Sequence, residues 1–110
     1  MFEETRPGVL ALTVLLACLI GPVAEELLFR GVLYPALRRR LSRVAAMLIS
    51  GIAFALIHTN VMGLLPIVLL GVTLAYLYER TGSIAGPIAL HMAHNTLLMA
   101  LAMTYRSVMS

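Results

Sequence analysis

Two adjacent glutamates, Glu25 and Glu26, stand in the run Gly21-Pro-Val-Ala-Glu-Glu-Leu-Leu-Phe-Arg-Gly31 of a chain that is otherwise largely apolar. To be buried there each carboxylate must shed water, and the two repel one another. A charged side chain near a bilayer centre costs at least about 2.5–3.5 kcal/mol. The chain has only five acidic residues, so this placement points to a working site. Arg30 follows Glu26 by about one helical turn and is the expected charge partner. One guanidinium cannot compensate two carboxylates set about 100° apart around a helix. Glu26 therefore divides evenly between a structural and a functional reading, and Glu25 is the better candidate to take a proton from water.

Three further residues could join them. His58 follows Phe54 by four residues and Asn95 follows His91 by four, so each pair shares a helical face. A lone histidine in an apolar segment is often only a hydrogen-bonded packing residue, and His and Asn commonly tie membrane helices together. Beside Glu25 they compose a set suited to amide hydrolysis. A glutamate with one or two histidines activates water directly or through a metal, and a histidine with an asparagine can donate to a tetrahedral oxyanion. No serine or cysteine stands at a convincing spacing to act as nucleophile. His94 reads as a packing residue, and Glu79-Arg80 as a charge pair at a helix end. Tyr34, Tyr76, Tyr78 and Tyr105 read as interface anchors. The single Cys18 rules out an internal disulfide and reads as core, and close glycine contacts of the GxxxG kind are not prominent.

The elements that must position these residues are apolar helices. Of the 110 residues 61% are hydrophobic and 12% charged, with a mean hydropathy of +0.97. Soluble domains average about 25% charged residues, so the composition implies an integral, multi-pass membrane protein, with the plasma membrane the expected location. All eight basic residues are arginines. The tight group Arg38, Arg39, Arg40 and Arg43 reads as a cytoplasmic loop and not as a nucleic-acid patch; the lipid bilayer is the expected partner. The fold class is all-α: a polytopic transmembrane bundle of about five helices, some short or kinked, forming a single domain over residues 1–110. The segments fall at about 8–20, 23–40, 43–58, 63–80 and from 83 or 87 to 104. Gly21-Pro22 separates the first two, Thr59-Asn-Val-Met-Gly63 makes a turn, and Thr81-Gly82-Ser83 closes the fourth. Pro87 suits the first turn of the last.

In a simple alternating bundle of this kind Arg6, the Arg38–Arg43 group and Arg80 all face the cytoplasm, and Arg106 alone dissents. Glu25 and His58 then lie near one face, while His91 starts about 12 Å in from the other at 1.5 Å per residue. A hydrocarbon core of about 30 Å leaves a gap between them. The site can form only if the glutamates sit well below the surface.

Glu25-Glu26-x-x-x-Arg30, Phe54-x-x-x-His58 and His91-x-x-x-Asn95, in this order on apolar helices, resemble the three motifs of the CPBP intramembrane protease family, which includes CAAX prenyl endopeptidases and bacterial Abi-type proteins. The resemblance runs from about residue 22 to 95, and the double glutamate followed by Phe-Arg-Gly is its most specific part. It implies an intramembrane endopeptidase that hydrolyses peptide bonds of membrane-associated or prenylated (CAAX-type) substrates. By analogy Glu25 is the general base and His58 helps hold the attacking water. His91 and Asn95 stabilise the oxyanion, while Glu26 and Arg30 orient the site. Zinc or another divalent metal is one option, with Glu25, His58 and His91 as its ligands; a metal-free mechanism is equally open, and the chain has no HExxH. Members of the family usually carry further hydrophobic helices before the first motif, whereas only about one precedes it here, so a minimal core or a truncated product is expected. The competing readings are a non-catalytic membrane scaffold or immunity-type binding protein of the same fold, and a proton or ion carrier. The latter finds no support in a repeated half or a second polar cluster.

Overall fold

Pro22 and Pro35 each lie where a proline should interrupt a helix, and neither does. In the computed structural model, which describes residues 6–58 and 63–110, helix α1 runs unbroken over Pro7–Arg38, 32 residues. It accommodates each proline by widening the turns just before it into a π-segment, Leu16–Ile20 ahead of Gly21-Pro22 and Phe29–Leu33 ahead of Tyr34-Pro35. A proline ring clashes with the carbonyl four residues back. In the wider turn the hydrogen bonds reach five residues back: Gly21 N–H bonds the Leu16 carbonyl and Tyr34 N–H the Phe29 carbonyl. The expected break at Gly21-Pro22 is therefore absent, and the first two of the five expected helices are one.

Three more helices follow, making four among the described residues. Helix α2, Arg43–Leu56, is capped by Ser42, whose Oγ accepts from Ala45 N–H at 3.2 Å. Helix α3 covers Leu64–Thr81 and stops at Gly82, which takes a left-handed conformation at φ 67°. Helix α4 spans Ala85–Met109, with Pro87 in its first turn as expected, and runs a turn beyond the expected end at 104. The turn expected at 59–63 lies, but for Gly63, outside the described residues. Helices α1 and α3 are long and apolar enough to cross a membrane, and α2 is a shorter apolar helix. Large apolar side chains such as Leu12, Leu28, Val32, Leu65 and Leu69 are exposed on them.

Two features of the packing fix the geometry of the interior. Helices α2 and α3 touch through glycines: a Cβ on Gly71 would stand 2.9 Å from the Gly51 Cα, and one on Gly51 would stand 2.6 Å from Val72 Cγ2. Only glycine at both positions permits this approach, so close glycine contact does matter here. The arginine-rich ends of α1, α2 and α3 are tied together by Glu79, which accepts from Arg38 Nε at 2.6 Å and lies 3.3 Å from Arg43 Nε. Glu79 thus pairs across helices and not with its neighbour Arg80. A continuous α1 also sets Arg6 and Arg38 at opposite ends, about 48 Å apart at 1.5 Å per residue, within a molecule 50 Å long. The expectation that Arg6 shares a side with the Arg38–Arg43 group is overturned. Tyr34, expected as an interface anchor, is instead fully buried, edge-on to Tyr78 with ring centres 5.7 Å apart.

Candidate active site

The merger of the first two expected helices moves the glutamates from a helix end to its middle. Glu25 lies about 27 Å from Pro7 and about 20 Å from Arg38 along α1. Helix α2 starts at the Arg38 end and stops after 14 residues, about 21 Å along, which brings His58 to the depth of Glu25. This closes the gap that a five-helix alternation leaves.

Glu26 and Arg30 are fully buried, one turn apart, with Arg30 Nη1 donating to Glu26 Oε2 at 3.1 Å. Arg30 Nη2 reaches the Gly71 carbonyl on α3 at 2.5 Å, and its guanidinium lies over the Phe54 ring, 5.0 Å from the centre. The same Glu26 oxygen accepts from His91 Nδ1 on α4 at 2.6 Å. A buried carboxylate thereby meets an arginine and a histidine from two helices, which is what makes its burial tolerable. Glu26 Oε1 and Arg30 Nε find no hydrogen-bond partner among the described residues.

Glu25 is placed differently. Its side chain is 28% exposed, and its two oxygens face two imidazoles: Oε2 is 3.2 Å from His58 Nε2 and Oε1 is 3.7 Å from His91 Nε2. Each histidine has its other nitrogen occupied. His58 Nδ1 donates to the Phe54 carbonyl at 2.6 Å, one of the last carbonyls of α2 and so without an intrahelical partner. His91 Nδ1 faces Glu26. Both rings pack on the fully buried Phe54, His58 with ring centres 4.7 Å apart and His91 edge-on at 5.4 Å. The Nδ1 bonds place a hydrogen on that nitrogen of each ring and direct both Nε2 atoms at Glu25.

Asn95 sits one turn beyond His91 on α4 but does not join this group directly. Its Nδ2 donates to the Ala17 carbonyl of α1 at 2.9 Å. That carbonyl is exposed by the local sequence: Gly21 N–H has gone to Leu16, and Pro22, next in the wider register, has no N–H to give. Asn95 thus caps a carbonyl that Pro22 leaves open, and His94 Nδ1 lies 3.5 Å from Asn95 Oδ1. The structure therefore gathers Glu25, Glu26, Arg30, His58 and His91 into one cluster, with Asn95 holding the adjoining turn of α1. Among the described residues no group of three or more His, Cys, Asp or Glu is arranged to hold a metal ion.

Gly71, Gly51 and the Ala17 carbonyl escape the sequence reading. A solitary glycine inside an apolar helix signals close backbone approach, and Gly51 and Gly71 each fit that description. The involvement of Ala17 could be found only by asking which carbonyl Pro22 leaves without a donor.

A family model described as Type II CAAX prenyl endopeptidase Rce1-like matches residues 7–97, which takes in every residue of the cluster. A Bacillus subtilis (strain 168) protein named "Putative membrane peptidase YdiL" is 34% identical over 88 residues, covering 80% of this chain; the chain spans 36% of that protein's length. No solved structure matches. With the matched region reaching from the start of α1 to beyond Asn95, the chain belongs to the Type II CAAX prenyl endopeptidase Rce1-like family.

Proposed function

We propose that the chain is an endopeptidase core embedded in the plasma membrane as a multi-pass helix bundle, and that it cleaves peptide bonds of membrane-associated or prenylated (CAAX-type) proteins with water activated by Glu25. The observation that carries this reading is the inequality of the two glutamates. Glu26 is sealed off and held by Arg30 and His91, whereas Glu25 is partly open and lies between two imidazole nitrogens.

The chemistry follows from the hydrogen-bond directions. With its proton on Nδ1, His58 can offer a lone pair at Nε2, so a water that enters and parts His58 Nε2 from Glu25 Oε2, 3.2 Å away, gives one hydrogen to each. The water oxygen is then oriented towards a substrate carbonyl. Glu25 takes the proton as the new C–O bond forms, and delivers it to the departing amide nitrogen as the C–N bond breaks. The oxyanion needs donors. The second N–H of the Asn95 amide is one, and His91 is the other when it carries an N–H at Nε2. Arg30 acts through Glu26: by fixing that carboxylate it fixes the His91 ring.

The test is cleavage by purified protein in detergent of quenched prenylated CAAX peptides and their unprenylated counterparts. Wild type is compared with Glu25→Gln, with and without a chelator. Cleavage lost in Glu25→Gln and retained under chelation is the expected result. Loss under chelation as well would transfer the water to a metal. No cleavage by the wild type, with the phenotype of Glu25→Ala cells unchanged, would favour the scaffold reading.

A further inference from the structure

The end of the molecule where α1, α2 and α3 meet carries a second polar cluster that takes no part in the hydrolytic site. Arg38, Arg39, Arg40 and Arg43 are gathered there around one carboxylate, Glu79. Arg38 is fixed on two sides, its Nε by Glu79 at 2.6 Å and its Nη1 by the Leu41 carbonyl at 3.1 Å. Arg39 and Arg40 are exposed and have no carboxylate partner among the described residues. Beside them is a cavity of about 330 Å3, lined by Tyr34, Pro35, Arg38, Arg39, Tyr78 and Glu79. The Tyr34 hydroxyl is buried beside Glu79.

We propose that this cavity binds the phosphate headgroup of an anionic phospholipid. Two of the four guanidiniums at this end, those of Arg38 and Arg39, line the cavity against one carboxylate, an excess that calls for an anion, and the planar guanidinium of Arg38 suits phosphate oxygens. Glu79 lines the cavity, but its charge is spent on Arg38 and Arg43 and serves to hold Arg38 in position. The level of the cluster selects a lipid over a free ion. It closes the ends of α1 and α3, the two helices able to cross a membrane, where headgroups belong. In the turns leading up to it α1 exposes Leu28 and Val32, apolar surface of the kind acyl chains cover. Basic pockets at the ends of membrane helices hold acidic headgroups by this combination.

The experiment is native mass spectrometry of the full chain from neutral detergent, supplied with equal phosphatidylglycerol and phosphatidylcholine. Retention of phosphatidylglycerol is expected to exceed that of phosphatidylcholine, with each arginine near the headgroup worth roughly fivefold. Arg39→Gln, an exposed position, should lower the preference about fivefold by the same measure. Arg106→Gln, at the far end of α4, should leave it unchanged. Equal retention of the two lipids, or equal loss in the two variants, would overturn the proposal. Displacement of phosphatidylglycerol by inorganic phosphate would also overturn it, by assigning the cavity to a free anion.

Discussion

At the scale of single residues, the two glutamates differ in what surrounds them, and variants should separate them. Glu25→Gln removes a partly open carboxylate whose contacts are two imidazole nitrogens, while the Glu26–Arg30 pair stays intact. Loss of a general base lowers turnover about 10²–10⁴-fold, so peptide cleavage should fall by that factor with little change in thermal stability. Glu26→Gln has the opposite emphasis. It leaves Arg30 charged and without its carboxylate in a fully buried position, a change that costs about 3–5 kcal/mol where buried pairs are broken. Melting in detergent should show that loss. Equal melting temperatures for the two variants would contradict this division. Glu26–Arg30 could be read in the sequence because a single helix fixes an i,i+4 pair. The contacts of Arg30 with Gly71 and of Glu26 with His91 could not, because they depend on how separate helices pack.

At the scale of elements, the π-segments explain both a misreading and a function for a proline. The rule that proline ends a helix omits the option of hydrogen bonds reaching five residues back, and α1 takes that option twice. The consequence at Pro22 is an open Ala17 carbonyl, which Asn95 caps. A double-mutant cycle tests the link. Asn95→Ala leaves a part-buried acceptor without its donor and should destabilise by about 1 kcal/mol. Pro22→Ala supplies an N–H at position 22 that can serve the same stretch of carbonyls, so Asn95→Ala should cost clearly less stability in that background. Additive losses would show that Asn95 and Pro22 act independently. The glycine contact makes a separate prediction. Gly71→Ala places a Cβ 2.9 Å from the Gly51 backbone, forcing α2 and α3 apart at a cost of about 1–3 kcal/mol. Because the Gly71 carbonyl also holds Arg30, cleavage should fall as stability does, whereas Gly8→Ala, with open space around it, should change neither. The helical segments and the facing pairs were legible because they rest on composition and on the 3.6-residue period. The glycine approach and the carbonyl cap were not, since neither leaves a periodic trace.

At the scale of the molecule, the unbroken α1 decides which charges share a side of the membrane. The ends of α1, α2 and α3 tied by Glu79 carry Arg38, Arg39, Arg40, Arg43 and, one residue beyond Glu79, Arg80. The other end carries Arg6 and, at the close of α4, Arg106. Cytoplasmic loops hold the excess of arginine, so the first group should face the cytoplasm and the second the outside. This arrangement explains Arg106, the lone exception in a five-helix alternation, by moving Arg6 to join it. It also makes the short α2 meaningful: a helix starting at the Arg38 end and stopping after 14 residues sets His58 beside Glu25 at the middle of α1, where a longer helix would carry it past. Single cysteines at positions 6, 39 and 106, in a background with Cys18 replaced by alanine, can be labelled with a membrane-impermeant maleimide from outside intact cells. Positions 6 and 106 should label and position 39 should not until the membrane is opened. If positions 6 and 39 instead behaved alike, α1 would have to turn back at Gly21-Pro22. Glu25 would then return to a helix end, out of reach of His91, and the cluster on which the proposed hydrolysis rests could not assemble.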